Sequence, residues 1–240
     1  MIKQLIAILL CLLIAPPAWA AVTVDANSTG ASATGTTVTI AHTVSGTNTY
    51  ILVGCGFNTG GATTISSVTW NTSENLTQIG TRPRTGTIAT DLWGLVAPTA
   101  TTANIVVTKS ASGVDSVCKV VSFNGVDQST PIGTSNQGTG TAAAPSIAVT
   151  SSAGELVVDV LGWRTNATPT ATPDGSQTAI GTQQSCVTST NCRVHMSYET
   201  AAGASTTMSW TETLDQSAQV GVPLKPAAAT VVPTSPIFFP

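Results

Sequence analysis

The chain repeats itself. The stretch from about Tyr50 to Asn124 recurs loosely from about Glu155 to Pro226. Tyr50-Ile-Leu-Val-Gly-Cys-Gly-Phe57 answers, with a small slip near its end, to Glu155-Leu-Val-Val-Asp-Val-Leu-Gly-Trp163. Leu76-Thr-Gln-Ile-Gly-Thr81 answers to Gln177-Thr-Ala-Ile-Gly-Thr182, and Leu95 to Thr108 answers to Tyr198 to Thr211. A period of roughly one hundred residues is too long for a solenoid unit. It predicts an all-β structure made of two related halves. The same matching sets Trp163 against Phe57, Met208 against Ile105, Trp210 against Val107 and Met196 against Trp93.

Period-two alternation supports the β reading, and no apolar stripe of helical period survives for three turns. Val38, Ile40, His42 and Val44 fall on one face, with Thr37, Thr39, Ala41 and Thr43 on the other. Asn71 to Asn75 turns the chain in the first half, and Pro173-Asp-Gly-Ser176 turns it at the matching place in the second. Short strands at about ten-residue spacing point to a sandwich or barrel. The leading strands, near Thr36 to Val44 and Ser146 to Thr150, stand well before the following hairpins, as long Greek-key connections require. We therefore expect one two-sheet antiparallel β-sandwich with internal duplication over 21–226, its halves 21–126 and 127–226. Two tandem Ig-like sandwiches are the alternative, with the Gly, Thr, Ser and Ala-rich joint from Asp127 to Pro145 as a linker.

Residues 1–20 have the form of an export signal. Lys3 opens it, Leu5 to Ile14 is its apolar run, and Ala18-Trp19-Ala20 is a small-x-small cleavage site. The run is too short to span a bilayer. Cys11 follows Leu10, where a lipoprotein signal carries a small residue, so lipid anchoring is not expected. Charged residues make up 8% of the chain and its net charge is −3, which argues against nucleic acid or anionic membranes as partners. With 42% hydrophobic residues in regular alternation, disorder fits poorly. Beyond the signal lie Cys55, Cys118, Cys186 and Cys192, an even count that favours disulfides in an exported chain. Cys186 and Cys192 flank a polar loop, and Cys55 and Cys118 sit on strands that become neighbours if the half folds back on itself. The expected pairs are Cys55–Cys118 and Cys186–Cys192.

Several strings carry a family resemblance. Ile65-Ser-Ser-Val-Thr-Trp70, Leu92-Trp-Gly-Leu-Val-Ala-Pro98 and Ser122-Phe-Asn-Gly-Val-Asp-Gln-Ser-Thr-Pro131 are among them. So are Leu76 to Gly80, Gly154-Glu-Leu-Val-Val-Asp159 and Val220-Gly-Val-Pro-Leu-Lys-Pro226. Together, over roughly Val22 to Ala227, the chain resembles secreted bacterial jelly-roll modules of concanavalin-A-like appearance, which often sit in surface proteins. The resemblance implies a jelly-roll fold and an extracellular setting. It carries no catalytic motif.

The chemistry-bearing residues are few. Glycosidases hold two carboxyls about 5–9.5 Å apart, and residues i and i+2 of one strand would provide that, but no Asp or Glu pair has this spacing. Glu155 and Asp159 share a face at about 13 Å along the strand. His42 reads as a hydrogen-bonded core or edge histidine, and His195 as part of a solvated face with Arg193, Ser197 and Glu199. Asp127 and Asp174 are candidate calcium ligands in loops, and both are also ordinary turn acids. Among the aromatics, Trp70 beside the Asn71–Asn75 turn is the candidate for stacking on a sugar, with core packing the plainer reading. The function expected on this footing is a non-enzymatic exported structural or adhesive module at the cell surface. The alternatives are a carbohydrate-binding module and, last, a glycan-active hydrolase. The Pro-rich tail 227–240, with Val231, Val232, Ile237, Phe238 and Phe239, is expected to dock on the sandwich or a neighbouring subunit, lead into a further domain, or remain a sticky end.

Overall fold

The computed structural model describes residues 20–228 apart from 33, 59–62, 166–169 and 189–191. The stretch read as an export signal, up to residue 19, and the expected docking tail from residue 229 lie outside the described residues. The described chain is all β, and every pairing between its strands is antiparallel.

The first half contains β1 (Thr23–Ser32), β2 (Thr37–Thr43), β3 (Tyr50–Asn58), β4 (Ile65–Trp70) and β5 (Glu74–Asn75). It continues with β6 (Thr77–Gln78), β7 (Arg84–Thr85), β8 (Ile88–Val96), β9 (Thr102–Lys109) and β10 (Asp115–Asn124). The second contains β11 (Asn136–Gly140), β12 (Ser146–Thr150), β13 (Leu156–Arg164), β14 (Thr178–Ala179), β15 (Gln184–Ser185), β16 (Cys192–Thr200), β17 (Ser205–Ser209) and β18 (Gln216–Leu224). The large sheet of the first half runs β1-β10-β3-β8-β6, with β7 also on β8. That of the second runs β11-β18-β13-β16-β14, with β15 also on β16. The two orders match strand for strand. A smaller sheet, β2-β9-β4-β5, covers one face of the first large sheet, and the pair β12-β17 covers the matching face of the second.

The sandwich therefore has four layers where one two-sheet sandwich was expected, because the large sheets also pack against each other. Leu52, Leu92, Val121 and Phe123 from one meet Val158, Val160, Met196 and Val222 from the other in one core cluster. The central strands β3 and β13 are covered on both faces, which is why they are buried almost end to end and read as mostly apolar runs, interrupted in β13 by Asp159. The two halves meet about an approximate two-fold. A Cβ on Gly54 would lie 2.6 Å from Val160, and one on Gly162 would lie 3.5 Å from the Gly56 Cα. Gly54 corresponds to Val160 and Gly56 to Gly162, and equivalent residues touch one another only beside a two-fold axis.

Contacts away from that axis obey the same symmetry. Asp115 and Gln216 begin the equivalent strands β10 and β18. Asp115 accepts hydrogen bonds from Val187 N at 2.9 Å and Thr188 N at 2.8 Å, in the loop before β16. Gln216 Oε1 accepts one from Thr87 N at 2.9 Å, in the turn before β8. Gly80 and Gly181 both have left-handed backbone, φ 69° and 59°. A Cβ on Gly80 would strike Ser135 Oγ at 2.8 Å, and one on Gly181 would strike Asn27 Oδ1 at 2.6 Å, so each turn leans on the opposite half.

The register of the repeat differs from the sequence matching by one residue at two places. Tyr50 pairs with Val96 and Phe123 as Leu156 pairs with Thr200 and Leu224, so Leu156 rather than Glu155 is the counterpart of Tyr50. Ile79 N donates to Leu92 O as Ile180 N donates to Met196 O, so Met196 matches Leu92 and Ser197 matches Trp93. In strands buried on both faces a one-residue slip leaves the apolar run unchanged, so the sequence does not expose it. The pairs Phe57–Trp163, Ile105–Met208 and Val107–Trp210 stand in equivalent places. The joint 127–145 is not simply a linker, since it contains β11.

Candidate functional site

Where β1, β2 and β10 converge, four side chains form a continuous polar chain. Ser28 Oγ lies 3.0 Å from His42 Nδ1, His42 Nε2 lies 3.1 Å from Ser122 Oγ, and Ser122 Oγ donates to Asp25 Oδ2 at 2.8 Å. The direction of the protons follows from the last bond. Ser122 gives its hydrogen to the carboxylate, so it accepts from His42 Nε2–H, and Nδ1 accepts from Ser28. Neutral His42 satisfies every partner. Burial pushes its pKa below the ordinary histidine value, against the pull of Asp25. Burial would raise the Asp25 carboxyl, but hydrogen bonds from Ser45 and Ser122 outweigh it and leave the pKa lowered.

This chain holds a serine, a histidine and an acid, yet the acid orients Ser122 rather than the imidazole. His42 is only 2% exposed, and its ring lies edge-on to Trp70 at 6.2 Å. The arrangement polarises the Ser28 hydroxyl and ties two sheets together. His42 alone was legible in the sequence. Asp25, Ser28 and Ser122 were missed because β1 carries no apolar alternation and Ser122 lies 80 residues from His42.

The other candidate residues do not gather at one place. Trp70 is fully buried in the first half, where its Nε1 donates to Thr99 O at 3.1 Å. Its faces are therefore closed to a solvent-borne sugar. Asp127 is half-buried and accepts from Ser129 N, Ser129 Oγ and Thr130 N through Oδ1. Asp174 accepts from Gly175 N and Ser209 Oγ. Both carboxylates thus serve as turn acceptors, and among the described residues no three His, Cys, Asp or Glu side chains are placed to hold a metal. The disulfides join Cys55 to Cys118 and Cys186 to Cys192. Cys55 and Cys118 are register partners on adjacent strands.

The second half holds a different polar centre. Asp159 is fully buried and accepts from Ser197 N, Ser197 Oγ, Trp210 Nε1 and Gln219 Nε2. Desolvation raises its pKa despite those four bonds. Gln177 joins the same group, pairing with the Ser209 backbone through both ends of its amide. Glu155, four residues before Asp159, instead accepts from Ser152 N in a turn. His195, expected on a solvated face, is 5% exposed, with its ring nitrogens 3.2 Å from the carbonyls of Ala171 and Gly181. It is covered because the chain before β14 folds over the place where the first half has a strand.

No helix among the described residues is long and apolar enough to cross a membrane. No family model, curated protein or solved structure matches the chain.

Proposed function

We propose that the protein is an exported, non-enzymatic structural or adhesive module whose two fused halves present loops outside the cell. The jelly-roll, concanavalin-A-like topology belongs to the same proposal. One observation carries it. Both histidines, with Asp91, Asp159, Lys109 and Lys119, are at most 5% exposed and bound to neighbouring strands or layers. They hold the scaffold together, and the carboxylates Asp127 and Asp174 serve turns. Two disulfides fit an oxidising compartment outside the cytosol.

The test pairs a binding assay with a turnover assay on the purified full chain. Immobilised protein should retain cell-surface material or glycan-coated particles, while ester, peptide and glycoside substrates remain intact. Hydrolysis that disappears in Ser28→Ala with unchanged unfolding would replace this reading with a serine hydrolase built on the His42 chain.

A further inference from the structure

In the first half the crevice between β1 and β2 is filled from within. Lys109, 3% exposed, places its ammonium there and donates to Ser32 O at 3.3 Å, Val114 O at 2.6 Å and Ser116 Oγ at 3.1 Å. Those acceptors form a cage for a primary ammonium group, which has three N–H donors and no acceptor.

The second half has the same crevice between β11 and β12 without the cation. Ser217 stands where Ser116 stands, and Gly140 where Ser32 stands, by their pairing in the two sheets. Lys109 N donates to Thr36 O at 2.7 Å, and the matching bond is made by Leu214 N to Ala143 O at 3.2 Å. Leu214 turns its side chain into the core with Leu161, Trp163 and Trp210. What remains is an open crevice of about 140 Å³, lined by Gly138, Gly140, Ala143, Ser146, Ser217 and Gln219 among others. One water needs only about 10–15 Å³, so a small organic ion fits.

Its floor is built to accept hydrogen bonds. Ser217 and Gln219 are each 1% exposed. Gln219 Nε2 donates to Asp159 Oδ2 at 2.7 Å and to Met208 O at 3.0 Å. Both partners are acceptors, which fixes the amide orientation. Gln219 Oε1 is left buried with no hydrogen-bond partner, and such an atom is costly to leave unmatched. No aromatic ring lines the crevice, so a sugar would find no stacking face.

We propose that the β11–β12 crevice binds a primary ammonium group, as an intermolecular counterpart of the Lys109 cage. A free small amine and the lysine side chain of another chain share that chemistry. Ser217 Oγ and Gln219 Oε1 receive its N–H groups. A quaternary ammonium, with no N–H, gains nothing there.

The test titrates the full chain with methylammonium chloride at constant ionic strength, reading backbone amide shifts and thermal unfolding. Gly138, Gly140 and Ser217 should shift saturably and the melting temperature should rise. Ser217→Ala, which leaves the Asp159 group intact, should weaken binding about tenfold, the value of one hydrogen bond to a charged group. Gly140→Ala should also weaken it, since its Cβ would sit 3.0 Å from Ser217 Oγ. Nα-acetyl-lysinamide separates the two sources: equal shifts assign a lysine side chain, and shifts with methylammonium alone assign a free amine. Equal response to tetramethylammonium, potassium or methanol, or no response to methylammonium, overturns the proposal.

Discussion

The two halves share one strand order but hold their interiors together by different means. In the first, Val53, Leu76, Trp93, Val107 and Cys118 share the core between the large and smaller sheets, with Cys118 bonded to Cys55. The residues in those five places of the second half are Asp159, Gln177, Ser197, Trp210 and Gln219, and they form one hydrogen-bonded group. A covalent cross-link inside an apolar core has been exchanged for a buried carboxylate with four donors. Among the described residues its cover is thinner too, since two strands stand where the first half has four. One backbone plan thus accepts two chemistries, the second holding a buried carboxylate by four donors while leaving Gln219 Oε1 unmatched. The cost of an error differs accordingly. A lost methyl group leaves a small cavity, whereas a lost acceptor strands several donors at once.

The strongest test of that contrast is Asp159→Val, which restores the residue type of Val53. It should destabilise by about 3–5 kcal/mol in urea unfolding, because four donors lose their acceptor in a dry interior. A loss under about 1 kcal/mol would mean that the polar group is incidental. Replacing both Cys55 and Cys118 by Ala should cost about 2–4 kcal/mol, and more than the same change at Cys186 and Cys192, whose loop is far shorter. Equal losses would show that the cross-links act through native packing rather than through the unfolded chain.

The seam between halves can be probed at its two symmetry-related caps. Asp115→Ala releases Val187 N, Thr188 N and Thr188 Oγ1 and should cost about 1–3 kcal/mol. Gln216→Ala releases the Thr87 backbone and hydroxyl and should cost about 1 kcal/mol. Adding the two changes should give less than their sum if the seam opens as a unit.

Acid should act with opposite signs at one pair of equivalent places. Asp91 and His195 stand in equivalent places on β8 and β16. Burial pushes the Asp91 carboxyl up to about 6, against the pull of Arg82, whose Nε lies 3.2 Å away. Its native pKa exceeds the unfolded one, so stability rises as pH falls through about 6. Burial lowers the pKa of His195, so its contribution is full above the unfolded histidine value near 6.5 and is lost as pH falls. Between pH 7 and 5, amide protection should therefore fall beside His195 and rise beside Asp91. His42 in the first half and Asp159 in the second shift with the opposite signs within those halves, so the contrast is local to the two places. Asp91→Asn should remove the gain on β8. A parallel change at both places would break the distinction.

Much of the plan was legible because it rests on local signals. Leu76 to Gly80 against Gln177 to Gly181 is a correct match, anchored by Ile79 and Ile180, which make the same backbone bond to β8 and β16. The cysteine pairing followed from parity and loop spacing. The edge strands β1 and β11 were not legible. Their Asn, Ser, Thr and Gly residues lie largely outside the core, and backbone ladders to β10 and β18 hold them in place. Candidate sites fared least well, because His195 is buried and Asp25 meets Ser122 only when strands far apart in the chain come together.

The sequence by itself determined the β class, the duplication and which cysteines meet, since alternation, repeat spacing and loop length are properties of neighbouring residues. Only the tertiary structure decided the number of layers, the register of the central strands and the crevice left open beside β11. Those depend on which faces are covered, and a strand buried on both sides carries no mark of which face meets which neighbour. The contrast between the two interiors has the same origin. Asp159 looks like a substitution on one strand until its four donors arrive from three others.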